Sequence, residues 1–150
     1  MELILWRHAD AEEGERDMER KLTGKGRKQA ERVSKWLAAR LPGRYTVLAS
    51  PARRARETAD ALGVRYKIVE RLAPGVAPGE LLKLCGWPSS KGAVVVVGHQ
   101  PDLGRVAALL VGGAEGEWSV KKGGLWWLSN RKRGGETQAV VRAVIAPDLI

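Results

Sequence analysis

Short apolar runs recur along the chain, and longer amphipathic stretches separate them. The run 93–97 is continuously apolar, which is typical of a strand buried on both faces of a sheet. Polar residues interrupt the run 66–69, which favours a position at a sheet edge. The pattern predicts seven strands, at about 2–6, 45–49, 66–69, 93–97, 116–121, 124–129 and 137–144.

The stretches between these runs carry apolar residues at helical spacing. Thr23 is placed to cap a helix over 24–41, and Ser50 to cap a second helix that begins at Pro51 and ends near residue 62. Two further helices are predicted at about 79–85 and 101–111. Helices that alternate with strands in this order predict an α/β sandwich around a mostly parallel sheet, with antiparallel strands towards the C-terminus.

Length and composition narrow the class of protein. The chain has 150 residues, 44% of them hydrophobic, which suits a single domain over 1–150. One cysteine excludes a disulfide scaffold, and two histidines exclude a His-rich metal site. No apolar run approaches the ~20 residues of a membrane span. Arg7 ends the first apolar run too early for a signal peptide, so we expect a cytoplasmic protein without a membrane partner.

The net charge of +9 is unevenly distributed. Residues 20–71 contain fifteen basic and four acidic side chains, a local net charge of +11. Such a surface attracts anions, although a solvated basic surface without a specific partner has the same composition. Nucleic acid is disfavoured, because the basic residues carry no interleaved aromatic side chains for base stacking.

Both histidines follow predicted strands. His8 comes after the first strand, beside Arg7, and His99 comes after the apolar strand 93–97. Arg54 lies in the first turns of the helix that follows the second strand. Because ligands of open α/β sheets bind beyond the carboxyl ends of the strands, these side chains are expected to meet at one sheet edge.

Two histidines and two arginines suit phosphoryl transfer. Arginine binds phosphate oxygens through two parallel hydrogen bonds, and a neutral imidazole can attack phosphorus to give a phosphohistidine. The second imidazole, if protonated, can donate to the oxygens in the transition state. No carboxylate cluster is placed to hold a metal, so neither a metal nor a cofactor is expected. The alternative is that each histidine only caps a helix or fills a strand end.

Four ordered segments resemble motifs of the histidine phosphatase superfamily, branch 1, and in particular its SixA-like phosphohistidine phosphatases. The segment 7–11 resembles the R-H-G motif in its R-H-A/G-D-A form. The other three, at 20–30, 50–59 and 97–101, resemble R-x-L-T-x-x-G-x-x-Q-A, S-P-x-x-R-A-x-x-T-A and V-G/S-H-x-P. The resemblance implies a phosphoglycerate-mutase-like three-layer α/β/α sandwich, here without a large cap.

The resemblance also implies roles for matching positions. His8 becomes the nucleophile and His99 the second catalytic histidine, which also contacts substrate. Arg7 and Arg54 become catalytic ligands of the phosphate. Arg20 is a further substrate-binding candidate, because the SixA-like branch has an arginine near the phosphate at this place.

Some positions depart from the family pattern. Ala9 stands where the larger family usually has glycine, which leaves open how closely the backbone approaches phosphate. The acid/base carboxylate of larger members has no clear counterpart, and Asp10, Glu70 and Glu80 are the nearest candidates.

The function expected from these features is dephosphorylation of phosphohistidine on a protein, without a metal. A phosphatase for small phosphate esters is the alternative within the superfamily. A non-catalytic domain that binds phosphate or nucleic acid is the alternative from another class.

Overall fold

A computed structural model describes all residues 1–150. It contains six strands: β1 (Glu2–Arg7), β2 (Tyr45–Ala49), β3 (Lys67–Ile68), β4 (Ala93–Gly98), β5 (Leu125–Arg133) and β6 (Glu136–Ile145). It contains four α-helices: α1 (Gly24–Ala38), α2 (Arg53–Asp60), α3 (Pro78–Cys85) and α4 (Asp102–Gly112). Three short 3₁₀ turns lie at Asp17–Glu19, Glu70–Leu72 and Pro147–Leu149.

The six strands form one sheet in the order β3-β2-β4-β1-β5-β6. The first four of these are parallel, and β5 and β6 are antiparallel to their neighbours. Every residue of β4 is buried, as its continuous apolar run predicts, and β3 is an edge strand. The mostly parallel sheet with antiparallel strands at the C-terminal end of the chain is therefore confirmed.

Helices cover both faces of the sheet. One apolar core includes Leu3 and Leu5 of β1 together with Leu103 of α4. The other contains Ile4 and Trp6 of β1, which alternate with the first set and pack with side chains of α1 and α2. This arrangement confirms the three-layer α/β/α sandwich. No helix has the length and apolar character that a membrane crossing requires.

The strand predicted at 116–121 is wrong, because these residues do not pair with any strand. Both sides of β1 are already occupied, by β4 and β5. The segment instead packs over α4, where the Trp118 carbonyl accepts a hydrogen bond from Gln100 Nε2 at 2.9 Å. A Cβ on Gly104 would lie 1.7 Å from that carbonyl oxygen, so glycine permits this close approach.

The turn between β5 and β6 lies near the N-terminal end of β1, whereas His8 follows the C-terminal end of this strand. Gly134 and Gly135 both have positive φ, 61° and 82°, which suits a two-residue hairpin turn. Glu2, the first residue of β1, pairs with Ser129 of β5, and the hairpin extends beyond this pair.

Candidate active site

Four predicted site residues converge at the carboxyl ends of the parallel strands. His8 follows β1 and His99 follows β4, and their ring centroids are 5.2 Å apart. Arg7 ends β1, and Arg54 lies in the first turn of α2. The expected meeting of both histidines at one edge of the sheet is thus what the fold produces.

The contacts of His8 define which of its nitrogens is available. Its Nδ1 lies 2.8 Å from the Ala9 carbonyl, which can only accept, so Nδ1 carries the proton. Nε2 of the neutral ring therefore carries a lone pair. The Ala9 amide donates to Thr58 Oγ1 at 3.0 Å, and Thr58 in turn donates to the Arg54 carbonyl. These bonds fix the turn that orients the His8 ring.

The Ala9 side chain, at the position where the larger family usually has glycine, packs into the protein interior. It is fully buried in a small apolar cluster with Leu22 and Ala30. The chain after Ala9 packs tightly on α1, where a Cβ on Gly26 would lie 2.0 Å from the Asp10 carbonyl oxygen. The Asp10 amide also donates to Gln29 Oε1 at 2.9 Å. The motif residues of α1 therefore support the loop that follows His8.

His99 is held by a side chain. Its Nε2 lies 2.7 Å from Ser50 Oγ, and Ser50 Oγ accepts a hydrogen bond from the Ala52 amide at 3.2 Å. Ser50 is fully buried, and its hydroxyl hydrogen has no acceptor other than His99 Nε2, so we assign it to that nitrogen, which places the ring proton on Nδ1. His99 Nδ1 is buried and has no partner in the protein. A neutral His99 thus has a free N–H for a ligand.

The prediction that Ser50 caps α2 is wrong. This helix begins at Arg53 with Ala52 as its N-cap, and no side chain caps it. The turn formed by Ser50, Pro51 and Ala52 instead directs the serine hydroxyl towards His99. The S-P motif draws attention to Ser50. Only the fold, however, brings its hydroxyl to His99, which lies 49 positions away in the sequence.

Burial keeps both histidines neutral. Desolvation is the main cause that lowers the pKa of His8 to about 4 and that of His99 to about 3. The hydrogen bond to Ala9 opposes the shift at His8, while the positive charges of Arg54 and Arg7 add to it at both rings. At neutral pH the resting site therefore holds two neutral imidazoles.

Arg7 and Arg54 place two guanidinium groups at the site, with Arg54 buried and Arg7 partly exposed. Arg7 Nη1 donates to the Val120 carbonyl at 2.9 Å. Arg54 donates to Asp17 twice, from Nη1 to the carbonyl at 2.7 Å and from Nη2 to Oδ2 at 3.2 Å. The Nε atoms of both arginines are buried without partners, so each retains N–H groups for an anion. Desolvation lowers the pKa of both groups.

Arg20 lies in an outer position. Its guanidinium donates to Asp17 Oδ1 from Nε and Nη2, and to the Glu12 carbonyl from Nη1. Asp17 therefore joins Arg20 to Arg54. The charge of Arg20 contributes to the lowered pKa of His8, which shows its proximity, but its observed hydrogen bonds go to this loop.

Two of the carboxylates named as acid/base candidates have partners within the protein. Asp10 accepts hydrogen bonds from Thr23 and Lys122, and Glu80 pairs with Arg71. Burial opposes ionisation of Asp17, but its hydrogen bonds and ion pairs with Arg20 and Arg54 lower its pKa overall. Asp17 is therefore a carboxylate at neutral pH. No cluster of three or more His, Cys, Asp or Glu side chains is placed to hold a metal ion.

Comparison with known proteins relates this arrangement to one family. Residues 3–74 match the model of the histidine phosphatase superfamily, branch 1. An uncharacterised protein of a Picosynechococcus species is 35% identical over 136 residues, which cover 83% of this chain and 82% of the relative.

Solved structures show the same architecture. A protein of Nakamurella multipartitia assigned as a phosphohistidine phosphatase SixA has a TM-score of 0.80 and 27% identity, covering 97% of this chain and 95% of its own. A protein histidine phosphatase SixA complexed with tungstate also has a TM-score of 0.80, with 22% identity and 99% of each chain covered. Phosphoserine phosphatase of Entamoeba histolytica has a TM-score of 0.70 and 17% identity, covering 97% of each chain.

Proposed function

This chain belongs to the histidine phosphatase superfamily and is a phosphatase, and we propose that it dephosphorylates phosphohistidine on a protein through a covalent intermediate at His8. The observation that carries the mechanism is the proton position on His8. Its Nδ1–H is bound to the Ala9 carbonyl, so the Nε2 lone pair is the one that can attack phosphorus.

In the first step, Nε2 of His8 forms a bond to phosphorus and the bond from phosphorus to the substrate breaks. The electron pair of the broken bond leaves with the substrate nitrogen. Arg7 and Arg54 donate to the phosphoryl oxygens, and Nδ1–H of His99 supplies a further donor. The phosphorylated His8 ring is positively charged, and its Nδ1–H bond to the Ala9 carbonyl stabilises that charge.

In the second step, water attacks phosphorus and the electron pair of the P–Nε2 bond returns to His8. The water gives up a proton to the phosphate or to solvent, which leaves the resting neutral ring. Neither step requires a group beyond the two histidines and two arginines. Metal independence follows from this scheme as a prediction. Localisation in the cytoplasm stays a prediction from the sequence.

The substrate class follows from the leaving group. Asp17, the carboxylate bound to Arg54, is ionised and so has no proton to give to a leaving alkoxide. A substrate imidazole leaves as a neutral molecule when its other nitrogen carries a proton, which places less demand on a general acid. Phosphohistidine therefore suits this site better than an alkyl phosphate. The likeness of the fold to the SixA structures supports the same substrate.

A small-molecule phosphatase is the second candidate. The observation that favours it is the fold similarity to phosphoserine phosphatase. Phosphoserine requires protonation of a departing hydroxyl, and the site would have to obtain that proton from His99 or from water.

The deciding experiment compares kcat/KM for a phosphohistidine-bearing protein with kcat/KM for phosphoserine, both measured with a chelator present. We expect the phosphoprotein to be the better substrate by at least about 100-fold. Equal or faster turnover of phosphoserine would favour a phosphatase for small molecules. Turnover of neither, with retained phosphate binding, would favour a binding domain.

A further inference from the structure

A large cleft beside the candidate phosphate site is lined mostly by positive side chains. It has a volume of about 810 Å³ and lies between α1, the loop before β5 and the C-terminal 3₁₀ turn. The cations that line it are Arg7, Lys25, Lys28, Arg32, Lys121 and Lys122, and Asp148 is its one acid. We call it the basic cleft. Arg7 belongs to both the cleft and the candidate phosphate site, so the two adjoin at this residue.

Most of these cations lack a partner within the protein. Lys122 pairs with Asp10 at 3.1 Å, and Arg7 donates to a main-chain carbonyl. The remaining four, which are Lys25, Lys28, Arg32 and Lys121, form no salt bridge. Like charges that face one cleft repel each other, so this arrangement costs stability and is consistent with a function in binding an anion.

A second hollow beside the candidate site has balanced charges, so the excess of positive charge is confined to the basic cleft. The loop at 12–21 and α2 line this hollow with four glutamates and four cations: Glu12, Glu13, Glu15, Glu19, Arg16, Arg20, Lys21 and Arg53. Its charges balance, and Arg16 pairs with Glu19 inside the hollow. The surface around the phosphate site is therefore polarised, with excess positive charge on the side of Arg7.

We propose that the basic cleft binds an acidic segment of the phosphoprotein substrate. This segment flanks the phosphohistidine of the substrate. The inference rests on the proposed function, because it assumes that the substrate is a protein. It adds a second recognition element, which selects among phosphohistidine proteins by the charge of the sequence around the modified residue.

The geometry favours an extended acidic peptide. Lys25, Lys28 and Arg32 follow one face of α1 and span about 10 Å along the helix axis. An extended peptide covers that distance in about three residues, so several carboxylates can meet successive cations. The cleft presents no aromatic side chain on which a base could stack, which disfavours a nucleotide or a nucleic acid.

The test uses two synthetic phosphohistidine peptides, one with glutamate and aspartate around the histidine and one with glutamine and asparagine. Phosphoimidazole serves as a substrate without flanking residues. Wild-type protein should prefer the acidic peptide by about tenfold in kcat/KM, mainly through KM, and added salt should reduce this preference. Absence of a preference would overturn the inference.

The double variant Lys28→Glu/Arg32→Glu changes two exposed residues of the cleft. Its loss of kcat/KM on the acidic peptide should exceed any loss on phosphoimidazole by about tenfold. The matched control Arg131→Glu/Lys132→Glu makes the same change of net charge on the exposed β5–β6 hairpin, at the other end of β1, and should retain the preference. If the control loses it equally, overall charge and not the cleft is responsible.

Two further results separate this inference from the proposed function. If wild-type protein hydrolyses neither phosphoimidazole nor the peptides, the proposed function fails, and titration with the unphosphorylated acidic peptide still tests the cleft. Binding that the cleft variant loses would then support the cleft as an acidic-peptide site. Tighter binding of a single-stranded oligonucleotide than of the acidic peptide would overturn it.

Discussion

The site is built from two pairs of residues that are held in different ways. The first pair, Arg7 and His8, is tied to main-chain carbonyls of Val120 and Ala9. The second pair, Arg54 and His99, depends on the side chains of Asp17 and Ser50, although Arg54 also reaches the Asp17 carbonyl.

This difference determines how each pair can be perturbed. The partners of the first pair are main-chain groups, which a substitution at Ala9 or Val120 leaves in place. The partners of the second pair can be removed while His99 and Arg54 remain. The comparison therefore predicts that the half with Arg7 and His8 is robust to changes around it, whereas the half with Arg54 and His99 is tunable.

The largest expected effect distinguishes the two histidines. With labelled substrate and an alkaline quench, wild-type protein should yield a phosphoenzyme that is labile in acid and stable in alkali. His8→Ala should lose the label and at least about 1000-fold in kcat/KM, because the attacking nitrogen is gone. His99→Ala should still form the label, but more slowly, because it removes a donor and not the nucleophile.

The control for this comparison is the folded state, measured as the thermal unfolding midpoint of each variant. Label retained by His8→Ala would remove His8 from the role of nucleophile. Label carried by His8→Ala but lost from His99→Ala would reverse the two assignments.

The next largest effect concerns the arginines. Arg7→Lys and Arg54→Lys keep a positive charge but lose the planar pair of donors. Each should cost about 2 kcal/mol of transition-state binding, or about 30-fold in kcat/KM, on the scale of charge-assisted hydrogen bonds.

Arg53→Lys, one residue away on the exposed side of α2, is the matched control and should change kcat/KM by less than about twofold. A change of less than threefold for either Arg7→Lys or Arg54→Lys would contradict its role at the phosphate.

The sequence predicted best the structural features that depend on residues close together in the chain. The apolar run of β4 predicted a central strand, and the placement of His8 and His99 after strands predicted their meeting at one edge. Thr23 caps α1 as its position indicated, since its Oγ1 accepts from the Gly26 amide at 3.0 Å. These features are set by residues close together in the sequence, or by the general rule that parallel strands end at one edge.

For the second pair, Arg54 and His99, the sequence predicted the two residues but not the side chains that hold them, because those contacts are not local. Motifs identify the arginine and the histidine, but the sequence predicts only a helix cap at Ser50 and gives no sign of the role of Asp17. Both act through residues far away in sequence, Ser50 on His99 and Asp17 on Arg54. The misassigned strand at 116–121 has a similar origin, because its apolar residues cover α4 and find no free strand.

A smaller effect should follow from removing the hydroxyl that holds His99. Ser50→Ala leaves Nε2 without a donor, so the ring proton is no longer fixed on Nδ1, and kcat should fall about tenfold with less change in KM. The ¹⁵N chemical shifts of the imidazole should show the loss of the Nδ1–H tautomer, which a purely structural role of Ser50 would not produce.

Ser34→Ala is the control for Ser50→Ala. Ser34 is also buried, and its hydroxyl donates to the Glu31 carbonyl within α1. Loss of that bond should affect stability without affecting the His99 tautomer. Equal loss of kcat in both variants, or an unchanged tautomer in Ser50→Ala, would show that Ser50 does not position His99.

The smallest expected effect is on the pH dependence of the free energy of unfolding, to which the histidines of both pairs contribute. The pKa values of about 4 for His8 and about 3 for His99 lie below the unfolded value of 6.5, mainly because both rings are buried. As pH falls through 6.5 the unfolded chain takes up protons that the folded chain does not, so the free energy of unfolding decreases. From pH 7 to 5.5 each histidine should contribute a loss of about 1 kcal/mol.

His8→Gln and His99→Gln should therefore each flatten this part of the stability curve by a similar amount, measured by urea unfolding across that range. The ion-paired Asp17 stays outside this range, because it has a lowered pKa and loses its contribution only as pH falls below 3.8. A slope unchanged in both variants would mean that the rings are not buried neutral.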